Sequence, residues 1–146
     1  MIAIDTNLLI YAHRAATPEH DRAKAALSKA SADDDGWGIP LPSVAEFLSI
    51  VTHPASSGRP STPTEAAAFL AALREARARI LAPGPGFADR QLQLAVDLAV
   101  AGGRVFDLQI ALCALDGGAT ELWTHDSRFI KVPGLRLHDP LLRSGP

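Results

Sequence analysis

The chain has almost no cysteine, few aromatics and no long apolar run, and each shortage removes a class of protein. Its single thiol, Cys113, sits in the apolar stretch Ile110-Ala111-Leu112-Cys113-Ala114-Leu115, so neither an intramolecular disulfide nor a thiolate zinc cluster is available. No apolar run approaches the ~18 residues of a membrane helix. The opening Met1-Ile2-Ala3-Ile4-Asp5 has no basic region ahead of its apolar residues, so no secretory signal is expected and the chain reads as cytosolic. Charge nearly cancels: 14 Lys plus Arg against 16 Asp plus Glu leave −2, too little for a field that would draw the protein onto nucleic acid or an anionic membrane. Any polyanion it handles has to be held locally. The P-loop, the G-x-G-x-x-G turn and the G-x-S-x-G elbow are missing as well.

What is present is aliphatic. Hydrophobic residues make up 47% of 146 residues and charged ones 21%, a balance that suits one domain over residues 1–146 with a single core. Met1-Ile2-Ala3-Ile4 is too short and too evenly apolar for an amphipathic helix and reads as a buried parallel strand ending at Asp5-Thr6-Asn7. A short helix follows from Leu8 to about Arg14, then a second to about Ser31, for which Thr17 is the expected N-cap and Pro18 the first helical residue. Trp37–Leu41 reads as a strand, Ser43–His53 as a helix and the stretch to Thr62 as a Ser/Pro/Gly-rich loop. Thr62-Pro63-Thr64-Glu65 is a capping box opening a helix to about Arg77. Arg79–Ala82 is the next strand, Phe87–Ala101 a helix stopped by Gly102-Gly103, and Leu108–Leu115 another with an i, i+3, i+4, i+7 stripe. Ala119–Thr124 and Leu135–Leu137 complete the strands. Strands alternating with helices imply a three-layer α/β/α fold around a central parallel sheet, whose ligands bind beyond the carboxyl ends of the strands.

Four acids fall at that edge. Asp5 and Asp126 each close an apolar strand, while Glu46 and Asp107 stand near the start of helices. Each also has a plain structural role open to it. Asp5 can cap the helix at Leu8, Asp126 can serve a turn, and Asp107 can cap the helix at Leu108. Ser43-Val44-Ala45-Glu46 reads as a capping box, and at ~100° per residue Glu46 lies about 160° from Val44 and about 140° from Val51, facing solvent. Taken together, two strand ends and two helix starts belong to one edge of such a sheet. Four converging carboxylates call for raised pKa values or a cation between them. All-oxygen donors suit Mg²⁺ or Mn²⁺, and the chemistry such an ion supports is in-line displacement at phosphorus.

These residues carry a resemblance. Met1–Ala12, Pro42-Ser43-Val44-Ala45-Glu46-Phe47, Val105-Phe106-Asp107-Leu108-Gln109-Ile110-Ala111 and Thr124-His125-Asp126-Ser127-Arg128-Phe129 resemble, in order, the four acidic motifs of the PIN-domain family and within it the VapC-type toxins. The resemblance implies a metal-dependent endoribonuclease acting on single-stranded or structured RNA, usually a homodimer and usually neutralised by a small antitoxin protein. It makes Asp5, Glu46, Asp107 and Asp126 the catalytic set, with the metal on Asp5, Asp107 and Asp126. Thr6 and Asn7 beside the first acid, and Thr124 ahead of the last, are the supporting groups. Where many relatives carry a further acid after the last one, this chain has Ser127 and Arg128.

Among other residues, Arg104 is the expected phosphate contact, being close to Asp107 in sequence. His125 is set aside as a surface or supporting group, Arg74, Arg77 and Arg79 as a solvated basic flank, and Trp37 as sheet packing. A silent RNA- or protein-binding module of the same fold is the non-enzymatic alternative. A phosphotransfer receiver needs an adjacent acid pair that is absent, and a D-x-D phosphatase fails because Asn7 stands at the second acid position. An antitoxin is expected to place an Arg among Asp5, Asp107 and Asp126 and an apolar helix beside Val44–Val51.

Overall fold

The first strand already dictates layers on both sides of a sheet. In a computed structural model describing residues 1–56 and 58–143, β1 (Ile2–Ile4) turns Ile2 and Ile4 into one apolar cluster and Ala3 into another. Side chains alternate across a strand, so a strand apolar at every position has to be covered on both faces. The chain continues as α1 (Thr6–His13), α2 (His20–Ser31), β2 (Trp37–Pro40), α3 (Leu41–Thr52), α4 (Pro63–Glu75), β3 (Arg79–Leu81), α5 (Phe87–Asp97), α6 (Arg104–Asp116), β4 (Glu121–Trp123) and β5 (Arg136–His138). Leu8, Leu9, Ala26, Leu27, Phe47 and Val51 bring α1, α2 and α3 onto the face of Ile2 and Ile4, with Ala66 of α4. Leu108, Ala111 and Leu112 bring α6 onto the other, with Phe87 and Leu94 of α5 packed behind.

All five strands are parallel, in the order β3-β2-β1-β4-β5. Strands are added on one side of β1 up to β3, after which α5 and α6 carry the chain back to β4 on the other side. The order therefore reverses between β1 and β4, where Ile4 lies opposite Trp123. Ligand-binding crevices form at such a reversal. This places Asp5, the residue after β1, beside Thr124, the residue after β4.

The sheet is tight where β2, β3 and α6 meet. Leu81, 1% exposed, fills the space over two glycines: a Cβ on Gly38 would come within 2.8 Å of its side chain, and one on Gly117 within 2.6 Å. Trp37 packs the sheet as expected, 2% exposed, its Nε1 donating to the Ala76 carbonyl at 2.9 Å. Cys113 is buried in α6, and burial pushes its thiol up to about 11. No helix among the described residues is long and apolar enough to cross a membrane.

Four helix starts differ from expectation, the first being α1, which begins at Thr6 rather than Leu8 with Asp5 as its N-cap. α2 begins at His20 rather than at Pro18, because the Thr17 hydroxyl donates back to the Arg14 carbonyl at 2.8 Å and is not offered to the new helix. α3 begins at Leu41 with Pro42 in its first turn, where the missing N–H costs nothing, so Ser43 lies inside the helix and caps nothing. The helix holding Asp107 begins four residues earlier than expected, at Arg104 with Gly103 as N-cap. Its predecessor α5 ends at Asp97, well before Gly102-Gly103. The capping box at Thr62 and Glu65 is formed as the sequence predicts.

Candidate active site at the sheet switch point

Asp5 is the N-cap of α1 and is 5% exposed. One carboxylate oxygen accepts from the Thr6 N–H at 2.7 Å; the other accepts from the Thr124 hydroxyl at 2.8 Å and the Asn7 amide at 3.3 Å. Its structural role and its place at the edge are thus both realised. Asn7 and Thr124 lace the two strand ends together: the Asn7 Nδ2 also donates to Thr124 Oγ1 at 3.2 Å, and its Oδ1 accepts from the His125 N–H at 3.1 Å. Thr124 Oγ1 further accepts from the Asp126 N–H at 3.1 Å. Asn7 and Thr124 are therefore supporting groups in a physical sense, since they orient Asp5 and the turn bearing Asp126. Thr6 supports through its backbone only; its buried hydroxyl has no partner.

The other three acids reach the same edge. Asp126 is exposed, one oxygen accepting from the Arg128 N–H at 2.9 Å in the turn its position suggested. Asp107, half-buried, is the fourth residue of α6, so it caps nothing and its charge faces the positive end of the helix. Glu46 is half-buried, contrary to the solvent-facing position expected of it. The core stripe of α3 runs through Ser43, Phe47 and Val51, with Ser43 rather than Val44 at its start, and Glu46 lies near enough to Asp5 and Asp107 to raise both. The capping-box role fails with it: Ser43 is fully buried and its hydroxyl has no partner.

Electrostatics tie the four together. Burial raises the Asp5 carboxyl from 3.8 to about 6, against the hydrogen bonds from Thr124 and Thr6, and the charges of Glu46 and Asp107 raise it further. Asp107 is raised by burial first, then by Asp126 and Glu46, while Arg104 opposes the shift. Each acid is felt by at least one other, with Asp107 in the field of both Glu46 and Asp126. Arg104, exposed at the start of α6, is near enough to Asp107 for its charge to lower that carboxyl.

A divalent cation fits this donor set by charge and chemistry, since every donor is a carboxylate and two are held above their ordinary pKa by burial and neighbouring charge. Among the described residues, no three His, Cys, Asp or Glu side chains are close enough to grip an ion unaided. A Mg²⁺ ion commonly keeps several waters and takes substrate oxygens as further ligands.

Sequence reasoning missed Asp139. It follows β5 as Asp5 follows β1, a signal that was there to be read. Instead of joining the cluster it accepts from His125 Nδ1 at 2.8 Å and caps the Leu141 N–H at 2.9 Å. His125 is thereby turned from the acids toward Asp139, its ring edge-on to Tyr11 at 6.0 Å.

A parallel sheet that brings acids from four separate segments to its point of reversal defines an α/β protein with a carboxylate-bearing edge. Residues 2–135 match the PIN domain family. Over 142 residues the chain is 34% identical to VapC ribonuclease Mb2897 of Mycobacterium bovis, covering 97% of this chain and 96% of that one. It is 30% identical to ribonuclease VapC24 of Mycobacterium tuberculosis, covering 99% and 100%. The fold is similar to VapBC2 from Rickettsia felis, solved with a DNA fragment from its promoter, at TM-score 0.66 and 20% identity over 95% of this chain and 98% of that one. The chain belongs to the PIN-domain family, on its VapC ribonuclease branch.

Proposed function

We propose that the chain is a Mg²⁺- or Mn²⁺-dependent endoribonuclease, the toxin of a toxin–antitoxin pair, with Asp5, Glu46, Asp107 and Asp126 as its catalytic residues. The observation that carries this reading is the electrostatic coupling of four carboxylates at the sheet switch point, with buried Asp5 raised to about 6. Asp5, Asp107 and Asp126 would hold the cation, which when bound supplies positive charge to the scissile phosphate and acidifies a water. Asn7 and Thr124 keep Asp5 aimed at the edge through its outer oxygen. Glu46, whose charge acts on both Asp5 and Asp107, would take a proton from the attacking water. No side-chain nucleophile is required.

A VapC-type relationship brings with it an antitoxin. An apolar groove of about 700 Å³ runs between α3 and α4, lined by Leu41, Val44, Leu48, Leu70 and Ile80, with Arg74 and Glu75 at its rim. It flanks the helix beside which an antitoxin helix is expected and suits an amphipathic segment. The test of the nuclease reading is cleavage of labelled RNA by wild type and Asp107→Asn in Mg²⁺, in Mn²⁺ and in EDTA. Loss of cleavage in EDTA and in the variant is expected; equal cleavage by the variant would remove the acids from the chemistry.

A further inference from the structure

Beside the acids lies a second feature of opposite sign. The turn from α5 to α6 and the segment linking β4 to β5 enclose a cleft of about 340 Å³, lined by Leu98, Ala99, Val100, Arg104, Phe129, Ile130 and Lys131. Its lining carries two cations and no carboxylate. Arg104 and Lys131 are both exposed, and neither makes an ion pair among the described residues. Arg90, Arg59 and Arg136, by contrast, are each neutralised by a carboxylate within 2.8 Å. One wall of the cleft adjoins the acid cluster, through Arg104 beside Asp107. Arg104 is one helical turn before Asp107 on the same side of α6, close enough to act on its charge, and Lys131 follows Asp126 by five residues on the β4–β5 segment.

We infer that this cleft is a phosphate subsite, holding the RNA backbone one nucleotide or so away from the scissile bond through Arg104 and Lys131. The inference rests on the nuclease reading for the position of the scissile phosphate, and adds the path the strand takes from it. A strand whose reacting phosphate lies over Asp107 and Asp126 has to run on across the protein, and the acids themselves repel it. With a net charge of −2 the whole molecule offers no attraction either, so the strand is held where unpaired cations face it. The cleft is of a size to admit a nucleotide unit, and a charge-assisted contact from Arg104 or Lys131 is stronger than a neutral hydrogen bond. Arg offers two parallel donors to phosphate oxygens and Lys a point charge, the division of labour expected of a backbone contact that reads no sequence.

Fluorescence anisotropy of the full chain with a labelled single-stranded oligoribonucleotide in EDTA, over a salt series, tests this. Each phosphate contact on a single strand contributes about 0.7 to the slope of log affinity against log salt. Arg104→Ala/Lys131→Ala should lower that slope by about 1.4 and weaken binding about tenfold at low salt. Lys131→Arg should keep the wild-type slope, as should Lys24→Ala, a cation lining a different cleft on α2. No measurable binding by wild type, or the same slope and affinity in the double variant, overturns the subsite. So does a double variant that binds RNA normally but loses affinity for the antitoxin, which would make the cleft part of a protein interface. The nuclease reading fails on a separate observation: wild type that shows the expected slopes yet leaves the same oligonucleotide intact when Mg²⁺ or Mn²⁺ replaces EDTA.

Discussion

Asp5 is ionised against its surroundings, and the sign of the consequence can be worked out. Its carboxyl titrates at 3.8 ordinarily and at about 6 in the fold. Between those values the unfolded chain has released its proton and the folded one has not, so stability falls as pH rises through the window and stays at the lower level above it. The ceiling on this effect is about 3 kcal/mol. Denaturant midpoints of metal-free protein should therefore fall from about pH 4 to pH 6 and recover on addition of Mg²⁺. Asp5→Asn should remove the Asp5 share of that pH dependence and leave the part that comes from Asp107. It should not gain the full amount, since both Asp5 oxygens accept hydrogen bonds and the amide replaces one acceptor by a donor. Glu46 and Ser43 supply a second pair of predictions. Glu46→Gln should hold or slightly raise the denaturation midpoint, since it relieves repulsion with Asp5 and Asp107, while cleavage drops by orders of magnitude. Ser43→Ala removes a buried hydroxyl without a partner and should be neutral or stabilise by up to about 1 kcal/mol, whereas loss of a true cap would cost about that much. The tetrapeptide misled because its spacing satisfies the capping rule, while Pro42 lets the helix begin before Ser43 and turns the serine into the core.

At the level of elements, the helices end in a way that composition conceals. Gly102-Gly103 looks like the stop for α5, yet the turn is made by Ala99 at φ 51, with the Val100 N–H donating to Ala95 at 2.9 Å. α4 closes identically through Arg77 at φ 71, the Ala78 N–H donating to Leu73 at 3.0 Å. Both are Schellman closures with a side chain at the left-handed position that glycine prefers. Arg77→Gly and Ala99→Gly should each raise stability by roughly 0.5–1 kcal/mol, read as a shift in thermal midpoint. Thr62→Ala should lower it by about 1 kcal/mol, because that capping box is formed. The helices that the sequence announced by periodicity are present. Their ends moved wherever a hydroxyl, a proline or a left-handed turn had a partner the chain alone does not reveal.

For the whole molecule, the alternation of apolar strands and amphipathic helices was enough to expect a parallel sheet covered on both faces, and hence the edge on which to look for a site. Strand order was not legible, since nothing in a short apolar strand such as Glu121-Leu122-Trp123 says which neighbour it pairs with. The unit of greatest sensitivity is the junction where Leu81 fills the room left by Gly38 and Gly117. Gly117→Ala should cost about 1–3 kcal/mol by overpacking and Leu81→Ala about 2–5 by leaving a cavity, both measurable by chemical denaturation without loss of the acids. The pairing of β1 with β4 has a consequence in time. During synthesis the early part of the chain can lay down β1, β2 and β3 with their helices, but one side of β1 stays open until β4 arrives more than a hundred residues later. Asp107 and Asp126 come with that last crossover, and so does Thr124, which aims Asp5. A chain made vectorially is thus a harmless precursor for most of its translation, and any truncated product ending before β4 is mute. Its exposed β1 edge instead makes such a fragment sticky, a ready substrate for cellular proteases.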